Sequence, residues 1–167
     1  MSSEATPTLD VGRAHRHFSA GCFNRAWSLI EKEKRTSEED EAMVLCAYAA
    51  LWHWTQRADC TEQNLSIGHW QLSRVFALLG RGEPSMWHAR RSLDLAAGLE
   101  PFFVGYGHEA VARAARLLAD DATFQTHLNK AREYVATVTD DEDRGALEKD
   151  LRELAKGPRA ADTRHAQ

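Results

Sequence analysis

Apolar residues recur at three- and four-residue steps along most of this chain, the period of an amphipathic helix. In the first such stretch Val11, His15, Phe18, Cys22, Ala26 and Leu29 form one stripe, and Ser19, Phe23, Trp27 and Ile30 form a second beside it. The stripes cross Gly21 without a phase shift, which predicts one helix from about Leu9 to Lys34. A single interior glycine costs only about 1 kcal/mol relative to alanine. The next stretch, AMVLCAYAALWHW, is apolar nearly all round and predicts a central helix ending near Arg57. Thr36 or Ser37 caps it, and Glu38, Glu39 and Asp40 suit its positive N-terminal end.

Further along, Thr61 opens a third helix that ends near Gly80. A turn follows, with Pro84 placed for the first position of a fourth helix running to about Gly98. Pro101 and Gly105 mark the next connection, so the fifth helix is expected over Tyr106 to Ala119. Asp120 or Asp121 opens a sixth helix reaching about Val138. Asp140 caps a seventh, which stops near Lys156 before Gly157-Pro158. The ends, 1–8 and 157–167, are polar and expected to be disordered, leaving one domain over 9–156.

Three of these helices carry a common mark. Ala47, Ala89 and Ala131 stand 42 residues apart, followed four positions on by Leu51, Leu93 and Val135. Such an interval predicts stacked antiparallel helical pairs, each alanine on the second helix of its pair. Leu147, Leu151 and Leu154 give the seventh helix one narrow apolar seam among charges, which suits a terminal cap. The fold expected is therefore all-α, an antiparallel helix-pair array of about seven helices.

Composition narrows the picture without redirecting it. The chain has 167 residues, 43% of them hydrophobic, with a formal net charge of −4 and 3 cysteines. That acidic balance argues against general nucleic-acid binding. No apolar run is long enough for a membrane span, and the N-terminus lacks the core of a signal peptide. Cys22, Cys46 and Cys60 form no CxxC pair and read as free thiols of a cytoplasmic protein, with Cys22 and Cys46 expected in the core.

The stretch SRVFALLGRGEPSMWHARRSLDLAAGLEP resembles the tetratricopeptide repeat. Phe76 and Ala77 match the large–small pair of that repeat's first helix. Ala89, Leu93 and Ala96 match its second, and Pro101 its closing proline. Ser73 and Gly80 stand where the family carries tryptophan and another aromatic, and the interval exceeds the 34 residues of that repeat. The resemblance implies a right-handed superhelix with a concave surface for peptides or partner proteins. FNRAW, His53-Trp54, Trp70 to Val75 and His88 to Arg90 also resemble text of a group of small bacterial proteins, which implies no activity.

Two constellations could carry a function. If first helices line the inner face, Trp70 and Arg74 lie one turn apart on the third. Tyr106, Glu109, Arg113 and Arg116 share one side of the fifth. Guanidiniums beside aromatics could hold an acidic segment or a peptide carboxylate. The plainer reading is a solvated helix face with a Glu109–Arg113 pair. The alternative site is a cluster of His53, His69, His88 and His108, each beside a tryptophan or tyrosine, which could bind a small molecule or a metal. No HxxxH or ExxH spacing supports it, and histidines hydrogen-bonded between helices are the plainer reading. No phosphate loop, GxSxG elbow or HExxH motif occurs, so no catalysis and no cofactor are expected. The expectation is a protein- or peptide-binding adaptor, with spare apolar residues on the first helix available for a homodimer.

Overall fold

The computed structural model describes residues 10–157. The terminal segments expected to be disordered lie outside these, apart from Gly157. Seven helices make up the described fold: α1 Val11–Ile30, α2 Ser37–Thr55, α3 Glu62–Leu78, α4 Gly82–Ala96, α5 Pro101–Leu117, α6 Asp121–Val135 and α7 Asp141–Lys156. No strand occurs among the described residues.

Local chemistry sets most of the boundaries. Thr36 and Glu39 close a reciprocal capping box at α2, and Thr61 does the same with Asn64 at α3. Asp120 and Asp140 accept from backbone N–H groups at the starts of α6 and α7. α1 is continuous through Gly21, where an added Cβ would meet nothing within 4 Å. Gly21→Ala should therefore raise stability by about 0.5–1 kcal/mol, read as a higher urea midpoint at unchanged slope. A lower midpoint would mean that α1 is kinked at this position.

Three boundaries depart from expectation. α1 ends at Ile30, four residues before Lys34. α4 starts at Gly82, so Pro84 is its third residue. α5 begins at Pro101 and takes in the residues expected as a connection. Gly105 and Gly107 are notches inside it. A Cβ on Gly105 would lie 2.6 Å from a Leu147 methyl, and one on Gly107 would lie 2.9 Å from the Leu93 Cα. Close packing, with no turn, accounts for these glycines.

α1 packs on α2, α3 on α4 and α5 on α6, with α3 also touching α1 and α5. One layer is thus α1, α3 and α5, the other α2, α4 and α6, and α7 closes the end against α5 and α6. Ala47, Ala89 and Ala131 are all buried on second helices. Their interval of 42 is nevertheless three residues longer than the repeat that the structure shows. Gly80 and Ala119 end α3 and α5 in the left-handed region, at φ 68° and 57°. Matching hydrogen bonds, Arg81 N–H to Phe76 O and Asp120 N–H to Ala115 O, complete the same C-terminal motif in both. The true repeat there is 39 residues. A shift of three stays on one helical face, which is why the alanines still point inward.

The core forms two clusters. One joins α1, α2 and α3 through Ala26, Leu29, Met43, Leu72 and Phe76. The other joins α4 to α7 through Met86, Val111, Phe124, Leu128 and Leu147. α2 is less central than its composition suggests, since Leu45, Tyr48 and Trp52 are exposed. It packs on one side only, and α5 takes the central place with ten buried residues. Likewise Val11 and Phe18 leave the α1 stripe exposed in its first half. Cys22, Cys46 and Cys60 are free and half-buried, short of the core burial expected for the first two.

Candidate binding face

The layer of first helices gathers all six expected groove residues. Trp70 packs edge-on against Tyr106, ring centroids 5.3 Å apart, and its Nε1–H donates to Glu109 Oε2 at 3.3 Å. Arg113 donates to the other Glu109 oxygen one turn along α5. The Tyr106 hydroxyl donates to Asp150 of α7 at 3.2 Å. Arg116 reaches the Gly157 carbonyl and lies 4.1 Å over the Phe124 ring.

The Glu109–Arg113 pair exists, but it is no solvated surface pair. Glu109 is fully buried, and the Arg113 side chain is 12% exposed. Burial pushes the Glu109 carboxyl above its usual range, while Arg113 and Arg74 oppose that rise. Burial lowers Arg113 in turn, opposed by Glu109. The Tyr106 hydroxyl is raised by burial and by Asp150, so it stays neutral.

Two cavities flank this network. A cleft of about 460 Å³ lies between α3, α5 and α7, lined by Arg74, Arg113, Arg116, Asp150, Glu153 and Leu154 among others. Buried donors at its wall, Arg74 Nε and Arg113 Nη1, have no hydrogen-bond partner among the described residues. On the other side of Trp70, an apolar cavity of about 290 Å³ is lined by Trp27, Ile67, Trp70, Phe102, Phe103 and Tyr106. Trp27 comes from a helix distant in sequence, and Phe102 was missed because α5 was expected to begin only at Tyr106, although the two are four residues apart on one helix.

The four histidines of the alternative site do not converge. His69 meets His88, Nδ1 to Nδ1 at 2.9 Å, but His53 pairs with His15 at 2.8 Å and His108 with His127 at 2.9 Å. Each pair bridges the two helices of one hairpin. His69 and His88 are 19 residues apart, as are His108 and His127, a repeat that was visible in the sequence. No group of three or more His, Cys, Asp or Glu placed to hold a metal occurs among the described residues. No helix among them is long and apolar enough to cross a membrane.

No protein-family model, curated protein or solved structure matches the chain.

Proposed function

We propose that this chain is a helical-repeat adaptor, similar to tetratricopeptide-repeat proteins, that holds a peptide segment of a partner protein against α1, α3 and α5. The observation that carries this reading is the pair of unmatched guanidinium donors beside an aromatic cavity. An unmet buried donor costs about 1–3 kcal/mol, and more when charged. A carboxylate in the cleft would bring an anion beside Arg74 and Arg113, which both line it. Asp150 and Glu153 on the opposite wall restrict the cleft to a single anionic group. Trp70 and Arg74 are separated by one helical turn, about 6 Å along the axis. That is about two residues of extended chain, so an apolar side chain in the aromatic cavity can precede the anion closely.

The test is a random peptide library screened against the purified chain. Enriched peptides should pair an apolar residue with an acidic group two or three positions away. Arg74→Gln and Phe102→Ala, each shown folded by circular dichroism, should weaken them at least tenfold. No enrichment, or equal binding to both variants, would reject the reading. Arg113 is unsuited to this test, since its removal leaves Glu109 buried and unpaired.

A further inference from the structure

The interface between α3 and α4 differs from the others. Ser66, His69 and Ser73 on α3 face Ser92, His88 and Ser85 on α4. Ser66 donates to the Ser92 carbonyl at 2.9 Å, and Ser85 donates to the Ser73 carbonyl at 2.9 Å. Between these serine pairs sit the two imidazoles. The seam is polar, buried and held by hydrogen bonds. It also separates the two apolar clusters, with Trp70 the α3 side chain that packs against the second.

An Nδ1–Nδ1 gap of 2.9 Å admits one proton. One ring must donate and the other must accept on a bare nitrogen. The Tyr48 hydroxyl lies 3.2 Å from His88 Nε2 and continues the chain, so a single tautomer order runs through Tyr48, His88 and His69. We propose that the His69–His88 and His108–His127 pairs are acid-released latches, and that double protonation of His69 and His88 opens the α3/α4 seam.

A second proton places two N–H groups head to head and two cations side by side. The surroundings offer no relief. His88 is enclosed by Tyr48 of α2, Phe76 of α3 and Trp87 of its own helix. The charged group acting on His69 is Arg91, a further cation. The same holds across α5 and α6, where Lys130 and Arg90 act on the His108–His127 pair and the Tyr134 ring stacks on His108. The pair between α1 and α2 sits among the rings of Phe18 and Trp52.

Burial holds His69, His88 and His108 down at about 4, with Arg91 adding to it at His69, His69 at His88, and His127 and Lys130 at His108. An opened chain binds protons near 6.5, before the closed one does. The latches therefore contribute fully above pH 6.5, and their contribution is lost as pH falls from there toward 4. Release acts first at the seam, because α5 and α6, which carry the other latch, share one apolar cluster, whereas α3 and α4 belong to different ones. The latch stands whatever the inner face binds.

The experiment is a titration of the whole chain from pH 8 to 4, following histidine ring ¹⁵N resonances and hydrogen exchange of α3 and α4 amides. At pH 7, His69 and His88 should show one protonated and one bare Nδ1. Proton uptake by this pair should coincide with loss of amide protection at the seam. His69→Gln keeps one hydrogen bond to His88 and removes one proton site. It should move the opening midpoint down by about half a pH unit. An unchanged midpoint would overturn the proposal. So would rings in the native chain that titrate near 6.5 while the seam stays protected, a result that decides the matter even if the variant does not fold.

Discussion

Glu109→Ala is expected to cost about 3–5 kcal/mol, the penalty for leaving a buried charge without its partner. Glu109 is fully buried, accepts from Trp70 Nε1 and pairs with Arg113. Its removal strands the Arg113 guanidinium and leaves the indole N–H unmatched. Typical domains have about 5–15 kcal/mol in total, so the variant should melt roughly 10 °C lower or more. A chemical control separates charge from packing. Glu109→Leu combined with Arg113→Met removes both charges and should recover most of the loss. The check is urea denaturation of both variants. A loss under 1 kcal/mol for the alanine variant would show that Glu109 is not a buried partner.

Leu147→Ala should cost about 2–5 kcal/mol, and its effect should concentrate on α7. Leu147 and Leu151 are the two buried residues of that helix. Leu147 is fully buried, with one methyl in the notch left by Gly105. Most of the rest of α7 is charged, and isolated helices of its length are marginal in water. Truncating the main anchor should therefore release α7 before the rest of the fold opens. The cleft would lose Asp150, Glu153 and Leu154 with it. Hydrogen exchange should show α7 amides unprotected while α3 and α5 amides remain slow. Uniform loss across all helices would place α7 inside the cooperative core instead.

The helices were legible because their signals are local. Capping residues such as Thr36, Thr61 and Asp140 act within one turn of their own chain. The apolar period likewise says which side of a helix is buried. Pro101 and Gly105 misled the reading. A glycine in a loop and a glycine under a neighbour's methyl look identical until the neighbour is placed. The 42-residue interval misled in a smaller way, since a shift of three residues preserves the face but not the equivalence. Of the candidate face, Trp70, Arg74 and the α5 stripe could be picked by spacing, because each set shares one helix. Phe102 belongs to that same stripe and was lost with the misplaced start of α5, whereas the contributions of Trp27 and Asp150 required α1 and α7 to be assembled against α3 and α5.

Local chemistry alone specified seven helices, their caps, their pairing order and the inward side of most of them. Assembly decided the rest: which carboxylate is buried, which histidine meets which, and where cavities open. Those outcomes depend on the register between helices far apart in sequence. That register is set by small notches and hydrogen-bonded serines on both partners at once, so no single stretch of sequence contains it.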